Sequence, residues 1–172
     1  MLRVVSPNPT VVCVIVYDHH IIGEGYTRPY GGSHAEVNAI SSVKNKKLLS
    51  KSTLYVTLEP CCHHGKTPPC TDLIIQHKIP KVVIGCVDSS TKISGKGIEA
   101  LTSAGCAVIV GLCEKHCQEH HNRFFTLPNT TRPYIILQWS STKHGFIAPL
   151  KQTPHNPVWL SPADSQLLIH QS

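Results

Sequence analysis

Between residues 10 and 125, strand-like runs alternate with stretches of helical periodicity, which restricts the chain to an α/β architecture. Residues 10–18 form a β-branched run bounded by Pro7-Asn8-Pro9 and Asp18-His19. Residues 21–26 follow closely, so the two runs predict a hairpin. Residues 34–45 carry apolar side chains at Ala35, Val37, Ala39, Ile40 and Val43, a helical pattern with Ser33 as its N-cap. A buried strand is expected over 53–58. A helix opens at Pro68 and Pro69 and runs to 77. Strands over 81–87 and 106–110 flank a helix over 98–104 that is preceded by Gly95 and Gly97. A last helix covers 113–125. Pro128-Asn129-Thr130-Thr131 then reads as a turn before a further strand over 134–139. A hairpin followed by strand–helix alternation implies a mixed sheet covered by helices.

Composition narrows the class. With 172 residues, 41% hydrophobic and 15% charged, the chain is neither disordered nor a coiled coil. The longest apolar run is residues 11–17, whereas a membrane span needs about 20 residues, and the first ten residues lack a signal-peptide core. A cytoplasmic protein with no membrane partner is therefore expected. Without an export signal, the eight cysteines read as reduced thiols and metal ligands rather than a disulfide framework. The net charge of +6 is spread out, and aromatics are only 6%. No basic–aromatic stripe for nucleic acid results. The charge suits a phosphorylated small molecule.

Three short stretches carry chemistry: His34-Ala35-Glu36, Glu59-Pro60-Cys61 and Pro68-Pro69-Cys70. One His and two Cys suit zinc, and three protein ligands leave its fourth position open to water. Glu36 lies two residues from His34 on the opening turn of the helix, placed to contact a metal-bound water without binding the metal. Cys61 ends a strand-to-loop junction, and Cys70 opens a helix whose N-terminus favours thiolate. Taken singly, such a His is a cap or surface residue and such a Cys a small buried hydrophobe. The ordered set is much harder to explain that way.

His-x-Glu followed by Pro-Cys is the zinc-deaminase signature, here with eight residues rather than two between the cysteines. The stretch TLEPCCHHGKTPPC over residues 57–70 closely resembles the deaminase domain of the bifunctional riboflavin-biosynthesis deaminase/reductase family. Pro7-Asn8-Pro9, Gly23-Glu24-Gly25-Tyr26, HAEVNAI over 34–40, Ser94-Gly95-Lys96-Gly97 and Asn122-Arg123-Phe124-Phe125 extend the likeness over residues 6–148. The resemblance implies a cytidine-deaminase-like three-layer α/β/α sandwich with a mixed five-stranded sheet. It implies zinc held by His34, Cys61 and Cys70, with Glu36 as the catalytic proton shuttle. It also implies a phosphoribosylated pyrimidine substrate bound by Asn8, His63, Lys66 and Asp88, which supply donors and an acceptor for a polar ring and a phosphorylated sugar.

The chain departs from the family pattern in several places. The family usually carries a helix before the first strand, where Met1 here comes just before the Pro-Asn-Pro motif. On that reading an uncovered apolar sheet face is expected, and with it self-association as a homo-oligomer. Thr27 stands where His is common, Gly32 where an acidic residue is common, and Asp88-Ser89-Ser90 where Asp-Pro-Asn is usual. Residues 132–148 resemble the opening strand of the family's reductase domain, with His144 at a usual Asp. The expected division is a zinc-dependent deaminase domain over 1–127 and a linker with a truncated reductase start over 128–172, without reductase activity. The expected activity is deamination of 2,5-diamino-6-ribosylamino-4(3H)-pyrimidinone 5′-phosphate. Its rivals are an inactive zinc-binding remnant and a nucleic-acid base deaminase. Cys113, Cys117 and His121, spaced along one helix, offer a second metal set, but ligands from one straight helix do not easily surround an ion.

Overall fold

The computed structural model describes residues 8–63, 68–89, 94–130 and 135. The chain forms two compact units, Met1–Pro133 and Tyr134–Ser172, and apart from residue 135 the described residues belong to the first. Lys66, residues 90–93 and the expected strand at 134–139 lie outside the described residues, except for residue 135 itself.

Five strands form one sheet: β1 (Val12–Tyr17), β2 (His20–Tyr26), β3 (Thr53–Leu58), β4 (Lys81–Cys86) and β5 (Ala107–Val110). Their order is β2-β1-β3-β4-β5. The hairpin pairs β1 with β2 antiparallel, with a bulge between Ile15 and Val16, and β1 is also antiparallel to β3. From β3 onward the pairing is parallel, because the two connections are helical crossovers. The helices are α1 (Ala35–Ser42), α2 (Cys70–Gln76), α3 (Lys96–Ser103) and α4 (Glu114–Thr130). Helix α1 packs on β1 and β2, α2 lies against both α1 and α3, and α3 packs on β5.

Alternation along β3 shows why helices cover both faces. Leu54, Val56 and Leu58 are buried in the core with Ala39, Ile40 and Ile74 of α1 and α2. Thr57, on the opposite face, meets His121 of α4. Helix α4 also contacts β4, where Cys117 packs over Gly85. The expected three-layer α/β/α sandwich with a mixed five-stranded sheet is what the chain forms.

The contact between α1 and β2 places the site. Ala35 and Ala39 are fully buried and sit directly on the strand backbone. A Cβ on Gly25 would come within 2.3 Å of both Ala35 O and Ala39 N. Asn38 locks the same junction by donating its side-chain N–H to Tyr26 O at 2.8 Å and to Ser33 O at 3.2 Å. Gly25→Ala should therefore push α1 outward at its first turn. Overpacking of this kind costs about 1–3 kcal/mol or more, and here the obstacle is backbone that cannot rotate away. Urea denaturation should show a loss at or above the upper end of that range.

Several local expectations differ from the structure. Helix α2 opens at Cys70, with Pro69 as its N-cap, rather than at Pro68 and Pro69. Helix α1 ends at Ser42 rather than 45, because Asn45 instead caps a short 3-10 helix, Lys46–Lys51, by accepting from Lys47 N. The Lys46 ammonium reaches back to Ile40 O and Ser41 O, satisfying the carbonyls that α1 leaves open. Helix α3 starts at Lys96 rather than 98 because a distant carboxylate, Glu59, caps it. Helix α4 continues through the predicted turn to Thr130, so Pro128 forgoes a hydrogen bond near the helix end instead of stopping it.

Candidate metal centre and its cleft

Residue His34 occupies the N-cap position of α1 in extended conformation, where Ser33 was expected. It makes no side-chain capping bond, because its ring is turned toward two cysteines. Cys61 follows β3 through the buried Pro60, and Cys70 is the first residue of α2. His34 Nδ1 lies 3.5 Å from Cys61 Sγ and 3.3 Å from Cys70 Sγ. The three ligand atoms all lie within 4.8 Å of one another. Tetrahedral zinc, with Zn–S of about 2.3 Å and Zn–N of about 2.0 Å, requires N···S separations of roughly 3.5 Å. The donor set and its spacing therefore fit zinc.

Charge in the cluster is already arranged for a cation. The hydrogen bond from Cys70 and that from His34 pull the Cys61 thiol down. The same bond to Cys61 pushes the Cys70 thiol up. The hydrogen bond with Cys61 likewise raises His34. The start of α2 thus turns donors toward Cys61 Sγ. Cys70 N donates to Cys61 Sγ at 3.4 Å, and Thr71 N donates to Cys61 O at 3.2 Å.

In the first turn of α1, Glu36 is only 3% exposed. Burial pushes its carboxyl up to about 7, with a further upward push from the Cys61 thiolate. It faces a cleft of about 300 Å³, at the lower end of the range for small-molecule sites. His34, Cys61, Asn8, His63 and Asp88 line the same cleft. The structure thus brings together seven of the eight residues singled out from sequence, since Cys70 holds the buried side of the His34–Cys61 cluster. Lys66, the eighth, is outside the described residues.

Sequence reasoning gave no role to four other residues in the cleft wall. Thr27 is buried, accepting from Val11 N at 3.0 Å, and so fastens the segment that carries Asn8. Tyr30 and Phe124 supply aromatic walls from the β2–α1 loop and α4. Glu59 closes the cleft floor beside Asp88. Thr27 and Phe124 already stood out in the sequence, as a departure from the family pattern and as part of a matching motif. Their place in the cleft was not visible there.

The alternative set on the last helix does not converge. Among the described residues His34, Cys61 and Cys70 are the one metal-ligand group. Cys113 is exposed and precedes α4 with a φ of 54°, whereas Cys117 is buried over Gly85. His121 is 1% exposed, with Nε2 3.2 Å from Thr57 Oγ1 and Nδ1 without a hydrogen-bond partner. Burial, and secondarily its neighbour His120, lower it to about 4. Between this value and the ordinary value near 6.5, the unfolded chain binds the proton that the folded chain refuses. Stability due to His121 is therefore present above that window and falls as pH drops through it. The loss should be roughly 2 kcal/mol after allowance for screening. His121→Phe keeps a ring beside Phe125 and cannot charge. Its Tm should fall less than the wild-type Tm between pH 7 and pH 4.5; equal falls would rule out His121 as the cause.

Comparison with known proteins agrees with this geometry. Residues 3–86 match the model of the cytidine and deoxycytidylate deaminase zinc-binding region. A riboflavin biosynthesis protein RibD from Aquifex aeolicus is 43% identical over 164 residues, covering 95% of this chain and 45% of the relative. A diaminohydroxyphosphoribosylamino-pyrimidine deaminase from Buchnera aphidicola is 47% identical over 128 residues, covering 74% of this chain and 86% of the relative. Among solved structures, the deaminase/reductase of Thermotoga maritima superposes with a TM-score of 0.80 at 41% identity, covering 97% of this chain and 47% of that one. RibD of Acinetobacter baumannii gives a TM-score of 0.71 at 40% identity, covering 76% and 36%. The chain thus spans less than half the length of the RibD relatives and most of the length of the Buchnera deaminase. With a shared fold, identity above 40% and the His-Cys-Cys cluster in the matched region, this chain belongs to the diaminohydroxyphosphoribosylaminopyrimidine deaminase family.

Proposed function

We propose that this chain hydrolytically deaminates 2,5-diamino-6-ribosylamino-4(3H)-pyrimidinone 5′-phosphate, with zinc held by His34, Cys61 and Cys70. One observation carries the reading: the buried Glu36 lines the same cleft as the metal ligands His34 and Cys61 and as Asn8, His63 and Asp88. Zinc, when bound, supplies Lewis acidity and lowers the pKa of water toward about 7. Glu36 takes a proton from the attacking water and delivers it to the ring nitrogen. It then takes the remaining proton of the newly attached hydroxyl and passes it to the amino group, whose C–N bond breaks to release ammonia as the carbonyl forms.

The substrate's polar ring meets Asn8, His63 and Asp88, which between them offer donors and acceptors. Lys66 is the residue expected to serve the phosphate. The partner is thus a small phosphorylated pyrimidine and not nucleic acid, in keeping with the spread of positive charge along the chain. No helix among the described residues is long and apolar enough to cross a membrane.

Ammonia release tests the reading. The zinc-loaded protein should release ammonia from the phosphoribosylated diaminopyrimidine and not from cytidine or adenosine. Turnover of cytidine or adenosine alone would replace the substrate. Zinc binding with no release from any of the three would identify an inactive remnant.

A further inference from the structure

The carboxylate of Glu59 is 4% exposed and accepts from four backbone N–H groups. Oε2 takes Asp88 N at 3.3 Å and Gly95 N at 3.0 Å. Oε1 takes Gly97 N at 2.9 Å and Ile98 N at 3.4 Å. These donors belong to two separate segments: the end of β4, which presents Asp88 to the cleft, and the opening of α3. Glu59 itself sits between β3 and the Pro60-Cys61 corner. One side chain therefore joins the metal-ligand corner, the Asp88 corner and a helix N-terminus.

The surroundings are built for this junction. Gly95 adopts a φ of 79°, which presents its own N–H and those beyond it to one point. At Gly97 a Cβ would lie 2.3 Å from Pro60 O and 3.1 Å from Glu59 Oε1, so the helix must begin flush against the corner. Two oxygens offer about four lone-pair sites, and four backbone donors fill them. Although Glu59 lies in the cleft wall, it has no acceptor capacity left for substrate.

We infer that Glu59 is a positioning residue for substrate binding that acts through Asp88. The inference rests on the proposed substrate site. Glu59 holds the backbone of Asp88, and so the carboxylate of Asp88 in the cleft, at a fixed distance from the metal corner. It does so without contributing to the metal cluster, because Cys61 is separately fastened by Cys70 N and Thr71 N.

Glu59→Gln tests this with little change of shape. Its amide would point donor hydrogens at backbone donors on one side of the junction, and whichever pair is lost, the side chain that holds Asp88 N is no longer fixed from both sides. The variant should keep its zinc and raise KM by roughly ten- to hundredfold, the scale on which small misplacements act, with a smaller change in kcat. In an Asp88→Asn background, Glu59→Gln should raise KM little further, because both changes spoil one contact. Should Glu59→Gln fail to fold, Glu59→Asp carries the test, since a shorter carboxylate reaches only one of the two donor pairs. A lowered Tm with unchanged KM in a folded variant, or effects of Glu59 and Asp88 that multiply independently, would overturn the inference. A wild-type protein without turnover would instead remove the substrate reading and this role with it.

Discussion

Glu36→Gln is expected to retain the fold and the zinc and to lose turnover by about 10²–10⁴-fold, the usual worth of a positioned general acid–base. The side chain is enclosed at the first turn of α1, with His34, Cys61 and Cys70 as electrostatic neighbours. Gln has nearly the same shape, so the packing of Ala35 and Ala39 on β2, which seats the helix, stays as it is. What disappears is the capacity to accept and return a proton. The loss should appear in kcat and kcat/KM alike, as it does when an interaction made only in the transition state is removed. Ammonia release under saturating substrate, with metal content measured on the same sample, reads both halves of the prediction. Near-normal turnover would take Glu36 out of the chemistry, and loss of zinc would make it part of the metal centre.

Much of the fold was legible because the strands are short, β-branched and bounded by turn residues. β3 falls on the expected residues, and the hairpin follows from Asp18 and His19, both of which adopt positive φ between β1 and β2. Periodicity could not place the ends of α1, α3 and α4, because caps and side-chain partners outside the apolar pattern decide them. The start of α3 is the clearest case: its first N–H groups are satisfied by Glu59, which is 38 residues distant at Gly97. A local search for a capping residue finds only Gly95 and a loop.

The metal-ligand cluster was legible for a different reason. His34 and Cys70 sit at helix starts and Cys61 at the corner after β3, so short motifs translate into position. What was not legible is that the backbone N–H of Cys70, at the start of α2, donates to Cys61 Sγ. Nor did the sequence indicate that Thr27 spends its hydroxyl on Val11, or that Phe124 reaches the cleft from the opposite layer. These facts depend on how layers stack, and no local pattern encodes them.

Cys70→Ala should abolish tight zinc binding while leaving the metal-free fold nearly unchanged. Losing a supporting partner of a metal ligand already costs about 10–100-fold in affinity, and removing one of three ligands should exceed that. The metal-free fold survives because the backbone N–H of residue 70 can still donate to Cys61 Sγ and Thr71 N still anchors Cys61 O. The Cys61 thiol should rise toward its ordinary value, since its largest stabilising hydrogen bond comes from the Cys70 side chain. Zinc that binds the folded state at a thousand times its Kd stabilises it by about 4 kcal/mol. Chelation should therefore lower the wild-type Tm by several degrees and leave that of Cys70→Ala in place, so that the two proteins converge without metal. Cys117→Ala should behave as wild type toward chelator, because Cys117 packs over Gly85 on the other face of the sheet. If Cys70→Ala kept one zinc per chain and its chelator response, the ion would have to be held without α2, and the His34–Cys61–Cys70 centre would be wrong.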